Sequence, residues 1–225
     1  MTDTPRGRRG ADVSPARRGL RSLLTGGLFT RGLAATLSAG TAGTAAAAPS
    51  VDELVQELGL EAHVEGGYFR RTYAADDQPR VATAAGERFS MTSIFYLLTR
   101  NAPTGHFHRN RSDIVHYFQL GDPITYYLLH PDGRLETVVM GQDVAAGQRL
   151  QLTVPGGIWK ASSLGEGPHG YGLISEAVSP GFDYADMTLG DAAALAEAFP
   201  EHAGLVRRLA RQSGGGDSDA GDGGS

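Results

Sequence analysis

The chain has 225 residues, 40% hydrophobic and 20% charged, with no cysteine and a formal net charge of −5. These figures suit one globular domain with appendages, and they exclude disulfides, thiolate metal sites and cysteine nucleophiles. Residues 1–47 carry seven arginines against Asp3 and Asp12, so the rest of the chain is strongly acidic and should repel nucleic acid.

Residues 1–48 read as a leader. A basic region passes into a weakly apolar Gly/Ala/Thr-rich region and then into small residues up to Ala47, the layout of a secretory signal. Arg17-Arg18 followed by Gly19-Leu20 matches a twin-arginine export signal and predicts a periplasmic or extracellular protein. Arg31 interrupts the apolar stretch, which keeps a cytoplasmic or organellar destination open. No run approaches the ~20 apolar residues of a spanning helix, so no stable membrane insertion is expected.

The main domain is expected over residues 49–190. Ser50 stands three residues before Glu53, a capping-box pattern, and Val51, Leu54, Val55 and Leu58 give one apolar helical face that ends at Gly59. Beyond it the period changes to two. "YFRRTYA", "FSMTSIFYLLT", "DIVHYFQ", "ITYYLLH", "RLETVVM", "RLQLTV" and "YGLISEAV" are short β-branched and aromatic runs, separated by turn sequences such as "GDP", "HPDG" and "PGG". Many short strands without intervening helices predict an all-β sandwich or barrel. Helix returns at 191–211, where Asp191 can cap "AAALAEAF" and Pro200 opens the next segment. Residues 212–225, Gln212 followed by "SGGGDSDAGDGGS", are low in complexity and are expected to be disordered.

Three of the seven histidines crowd into "GHFHRNRSDIVH". On a regular strand His106 and His108 share one face while Phe107 takes the other, so two imidazoles stand side by side. Such a pair can chelate a divalent metal or share proton transfer with a substrate. Asp113 and His116 have opposite parity, so only one of them can aim at the same cavity without a bulge. Lys160 is the chain's only lysine against nineteen arginines, which points to a need for a compact charge. In "HVEGGYFRRTY", Gly66-Gly67 permits a close backbone approach. Beyond them Tyr68 and Arg70 share one face while Phe69, Arg71 and Tyr73 share the other. Glu65, Tyr68 and Arg70 can supply an acid, a phenol and an anion-binding fork. Glu176 among apolar neighbours needs a partner or solvent, and Gln151 is a weaker pocket candidate. Phosphate-binding glycine loops and a G-x-S-x-G nucleophile turn are both missing from the sequence.

"EGGYFRRTY", "SIFYLLT", "GHFHRNRSDIVH", "QLTVPGGIWKAS" and "LISEAVSPGFDYADM" resemble, in that order, a largely uncharacterised cupin-like family of the cupin superfamily, related in fold to the dTDP-sugar epimerases. The resemblance spans about residues 50–190. It implies a cupin double-stranded β-helix, or jelly roll, with short flanking helices, commonly a homodimer, and with a small-molecule pocket inside. In the metal-binding pattern of that superfamily, His106, His108 and Asp113 would be ligands, while Lys160 stands where the last histidine belongs. A protonated lysine has no lone pair to give, so a divalent metal (Fe, Mn, Ni or Zn) would be weakly held. Three functions follow as expectations. The first is an isomerase or epimerase acting by acid/base chemistry on a small polar, carbohydrate-derived or carboxylated substrate. Its catalytic candidates are His106, His108, His116, Lys160 and Tyr68, with Glu65, Arg70, Gln151 and Glu176 binding substrate. The second is a metal-dependent, dioxygenase-type cupin using His106, His108 and either Asp113 or His116, and the third a non-enzymatic ligand-binding cupin.

Overall fold

A computed structural model describes residues 48–211; the Arg17-Arg18 leader and the 212–225 tail lie outside these described residues. Helix α1 (Val51–Glu57) opens with the expected reciprocal cap: the Glu53 N–H donates to Ser50 Oγ at 3.2 Å and the Ser50 N–H donates to the Glu53 carboxylate at 2.7 Å. Thirteen strands follow: β1 (Glu61–Ala62), β2 (Tyr68–Ala74), β3 (Val81–Thr83), β4 (Gly86–Arg88), β5 (Thr92–Thr99), β6 (Thr104–Asn110) and β7 (Asp113–Gly121), then β8 (Ile124–Leu129), β9 (Leu135–Met140), β10 (Gln151–Val154), β11 (Trp159–Leu164), β12 (Tyr171–Ser179) and β13 (Met187–Leu189). Asp191 accepts from the N–H groups of Ala193 and Ala194 to start α2 (Ala192–Ala198), and α3 (Ala203–Leu209) closes the described chain. No helix among the described residues is long and apolar enough to cross a membrane.

Eleven strands form two antiparallel sheets, in the orders β1-β2-β5-β12-β7-β10 and β13-β6-β11-β8-β9, while β3 and β4 make a separate hairpin. This is the jelly roll with short flanking helices that the strand spacing and the resemblance predict. Alternation along the strands sorts apolar side chains into three layers. Tyr96, Leu98, Phe118, Ile124, Tyr126 and Ile174 are among those filling the space between the sheets. Leu97 and Leu173, of opposite parity, pack outward on Leu54 near α1. Phe107 and Ala161 pack outward from the second sheet against α2 and α3.

One irregularity decides what enters the interior. Lys160 on β11 pairs with His108 on β6, but Ser162 pairs with Gly105, so His106 and Phe107 together stand against Ala161. This β-bulge breaks the period of two. Phe107 is fully buried on the outer face, and the His106 Nδ1–H donates to the Leu209 carbonyl at 3.1 Å, satisfying one of the free carbonyls at the end of α3. The expectation that His106 and His108 share one wall is therefore corrected: His106 caps a helix and only His108 turns inward.

Asp113 is also corrected. It is exposed, and its Oδ1 accepts from the Gly156 N–H at 2.8 Å, fastening the Pro155-Gly156-Gly157 turn to the start of β7. The Gly157 N–H donates to the Asn110 carbonyl at 2.8 Å in the same docking. Both side chains thus have structural work outside the cavity. His106→Ala and Asp113→Ala should each cost about 1 kcal/mol of stability, read as a fall of a few degrees in thermal midpoint. Neither should change the ionisation of groups in the cavity, which NMR titration of the remaining histidines would check.

Candidate functional site

The end of the jelly roll not filled by apolar side chains holds a cavity of about 340 Å³. Phe69 and Arg71 on β2, Ile94 on β5, Ile114 on β7, and Glu176 and Val178 on β12 form one wall, with His108 and Asn110 on β6 opposite. His63, Glu65 and Phe182 enter from loops, Tyr184 from the 3-10 turn Tyr184–Asp186, and Glu61 shares the rim. Glu65 is delivered by Gly66-Gly67. Both have positive φ, and a Cβ on Gly66 would run into the Thr104 carbonyl while one on Gly67 would come within 2.6 Å of the Leu97 carbonyl. The close approach expected at this pair is what the backbone adopts. It lets the Tyr96 hydroxyl donate to the Gly66 carbonyl at 2.9 Å and the His106 N–H donate to the Glu65 carbonyl at 2.6 Å.

Of the residues singled out in the sequence, Glu65, His108 and Glu176 line the cavity. His116 and Lys160 are buried behind its floor, 0% and 3% exposed. His116 stands directly across from Glu176 in the β7–β12 register; its Nδ1 lies 3.0 Å from Glu176 Oε1 and 3.3 Å from the Tyr126 hydroxyl. Lys160 crosses from the other sheet and places Nζ 3.2 Å from His116 Nε2. An ammonium donates, so Nε2 carries the lone pair and the Nδ1–H donates to Glu176, an assignment made from the partners. Tyr68 and Arg70 are corrected by parity. Tyr68 packs outward beside α1 and Arg70 is exposed, whereas their strand neighbours Phe69 and Arg71 face the cavity. Gln151 is exposed on β10, paired with Tyr117, and does not line the cavity either.

The charges are divided unevenly. Burial would raise the Glu176 carboxyl, but the Lys160 cation and the His116 hydrogen bond outweigh it and hold Glu176 well below the ordinary carboxylate range, so it is ionised. Burial and the Lys160 cation push His116 down, and His108 well down, so both imidazoles are neutral near pH 7. Burial also lowers His63. Burial raises Glu65 to about 8, so it is a protonated acid at neutral pH. His108 donates its Nδ1–H to the His106 carbonyl at 2.8 Å, leaving the Nε2 lone pair 3.3 Å from Glu65 Oε2 at an angle that makes no hydrogen bond. Buried Asn110 Oδ1 also lacks a hydrogen-bond partner among the described residues. The floor therefore sets a neutral acid beside a neutral base, over a buried chain in which neutral His116 links Lys160 to Glu176.

Residues 52–190 match the family model described as "Cupin superfamily (DUF985)". The chain belongs to this cupin family. The cupin is 39% identical over 151 residues to the uncharacterized protein YML079W of Saccharomyces cerevisiae, covering 62% of this chain and 74% of the relative. Among solved structures, a hypothetical protein from Leishmania major aligns with TM-score 0.68 and 32% identity over 72% of this chain and 99% of that one. Protein SO0799 from Shewanella oneidensis aligns with TM-score 0.67 and 34% identity over 74% and 100% of the two chains.

Many cupins hold a metal on H-x-H, a carboxylate and a final histidine, and the matching positions of this cupin do not fit one. The bulge turns His106 to α3, Asp113 is held by the Gly156 N–H, and Lys160 brings a cation where the last ligand belongs. His116 faces inward but is engaged by Lys160 and Glu176. Among the described residues no three His, Cys, Asp or Glu side chains converge to hold an ion. The expected ligand set of His106, His108 and Asp113 is accordingly withdrawn.

Polar and aromatic cavity residues that sequence reasoning did not select are Glu61, His63, Phe69, Arg71, Asn110, Phe182 and Tyr184. Asn110 follows from His108 by strand parity, and Arg71 from choosing the other face of β2. His63, Phe182 and Tyr184 sit outside the strands, where no period marks them.

Two outcomes follow from the charge arrangement. Lys160→Met leaves Glu176 without its counter-charge and should cost of order 3–5 kcal/mol, lowering the midpoint by about 10 °C. Adding Glu176→Gln should recover part of that loss in thermal denaturation. Glu65 has the opposite sign. Its folded pKa of about 8 lies above the ordinary carboxyl value of 4.5, so its stabilisation is complete below pH 4.5 and lost as pH rises through about 8. Glu65→Gln should therefore match wild type in stability near pH 4.5 and exceed it by pH 9 by at most a few kcal/mol, read as a higher thermal midpoint.

Proposed function

We propose that this cupin is a small-molecule enzyme of the isomerase or epimerase type, moving a proton on a small polar, carboxylated substrate without a metal. The observation that carries this reading is the juxtaposition of His108 Nε2 and Glu65 Oε2 at 3.3 Å, both buried on the cavity wall. Burial makes the carboxyl an acid at neutral pH, and burial with the Lys160 cation makes the imidazole a free base. Opposed tendencies in adjacent titratable groups are what proton abstraction and return require. His108 Nε2 takes a proton from carbon next to a carbonyl, and the electron pair moves into the carbonyl to give an enolate. Glu65, on the same side as His108, then gives its proton to the neighbouring atom of the enolate, and proton exchange with solvent resets the two groups. Lys160, behind the floor, supports the developing negative charge through space without touching the substrate. His116 and Glu176 fix the lysine's partner and the charge balance. The dioxygenase-type alternative loses support with its ligand set. A binding protein without turnover would share the same cavity.

The test is solvent-deuterium incorporation, followed by proton NMR, into a panel of 2-hydroxy and 2-oxo acids. Exchange into at least one panel member is expected, lost in His108→Gln and Glu65→Gln and kept in His106→Gln and Arg70→Gln. The rate should fall above about pH 8 as Glu65 ionises. Exchange that survives His108→Gln would remove the assigned base. A panel member that binds in native mass spectrometry without exchanging would favour the binding-protein reading.

A further inference from the structure

Strand β6 gives the cavity two polar side chains that the fold leaves unanswered. His108 and Asn110 are two residues apart and share the inner face, and at 6% and 7% exposure both are more than nine-tenths buried. His108 Nε2 makes no hydrogen bond among the described residues, and neither does Asn110 Oδ1. The backbone around them is fully engaged: β6 pairs with β11 at His108 and with β13 at Asn110, and the Asn110 carbonyl accepts from the Gly157 N–H at 2.8 Å. An unpaired buried amide is costly. Packing does not call for one, because leucine has nearly the same branched shape and carries no such cost.

The charges nearby narrow what can answer the amide. Glu176 lines the same cavity and is ionised, with one oxygen taking the His116 Nδ1–H. It repels a substrate carboxylate, which is drawn instead to exposed Arg71, the single cation among the lining residues. An ammonium is no better placed, since the Lys160 cation stands behind the floor and already answers Glu176 through His116. A neutral group remains. A hydroxyl suits the asparagine whichever way its amide is turned, because it both donates and accepts.

We propose that Asn110 selects the substrate by holding a hydroxyl close to the carbon that His108 deprotonates, so that the ligand of this cavity is a hydroxylated carboxylate rather than a plain or an amino-substituted one. This rests on the acid/base reading for the identity of the reacting carbon, and adds the group that fixes the skeleton beside the base. Asn110 stands one inward position nearer the β6–β7 turn than His108, a step of about 6–7 Å along the backbone. A hydroxyl on the reacting carbon or on its neighbour falls within that interval. Held there, the skeleton cannot turn its C–H away from Nε2.

Two sets of acids of matched shape provide the test, by ligand-observed NMR titration of the full chain: 2-hydroxybutanoate, 2-methylbutanoate and 2-aminobutanoate, and the three analogues substituted at carbon 3, with each chiral acid used as both enantiomers. All carry the same carboxylate, so Arg71 contributes equally and the differences report on the second group. Apolar burial alone favours methyl over hydroxyl. In at least one set the hydroxy acid is expected to bind at least about tenfold tighter than its methyl and amino analogues. Asn110→Leu should reverse the order of the hydroxy and methyl acids while its thermal midpoint equals or exceeds that of wild type, because a buried unpaired amide is replaced by an apolar side chain of similar shape. Asn110→Ala, which opens space instead of filling it, should also lose the preference. A methyl or amino analogue that binds as tightly as the hydroxy acid in both sets, a hydroxyl preference that survives in either variant, or no binding of any hydroxy acid at millimolar concentration would overturn the proposal. Deuterium exchange without a hydroxyl preference would keep the isomerase and remove this role of Asn110. A hydroxyl preference without exchange would keep Asn110 and remove the isomerase.

Discussion

A lysine buried to 3% exposure must have its charge answered inside the barrel, and the arrangement of the floor follows from how it is answered. Lys160 reaches across from β11 to His116 on β7, and His116 passes the interaction on to Glu176 on β12 through its other nitrogen. The two sheets are thereby joined by a polar link beside their apolar core. Removing an ion from water costs several kcal/mol, so such a link is tolerated only where each member is paired. Its field has a chemical result as well. The same cation that keeps Glu176 ionised helps to keep His108 and His116 neutral, while Glu65, dominated by burial, keeps its proton. Acid, base and counter-charge are sorted by one ammonium and by depth.

How much of this was legible in the residues depends on whether a local rule held. The Ser50–Glu53 cap and the Asp191 cap formed as read, because capping is decided within a few residues of chain. The strands and their alternation were legible for the same reason, as was the close approach at Gly66-Gly67. The H-x-H pair was misread because parity presumes an unbroken ladder, and the bulge opposite Ala161 is set by pairing with a strand about fifty residues away. On β2 the alternation was right but the inner face was not identifiable. Each face offers an aromatic beside an arginine, Tyr68 with Arg70 or Phe69 with Arg71, and only the packing of α1 over the sheet decides between them. Lys160 was found by its rarity, although it acts from behind the floor and not at the wall.

The family pattern survives in the letters of the sequence while its parts have taken other duties. The first histidine of the pair ends a helix, the aspartate fastens a turn, and the final ligand position holds a cation. Each new duty is satisfied by ordinary hydrogen bonding, which is why the motif looks intact on paper. Only the second histidine still faces the cavity, and it does so beside a carboxyl supplied by a loop.

The β3–β4 hairpin belongs to neither main sheet, yet through Arg88 and Asp186 it secures the turn that carries Tyr184. Divergence can therefore act on the two ends of the cavity separately. Changes in the length or sequence of the hairpin would reshape the entrance without disturbing the register of the barrel strands, whereas a change at the floor must keep the buried charges balanced or lose the fold. Related chains are then expected to differ first in what they admit and last in how they handle a proton, with the hairpin as the adjustable part.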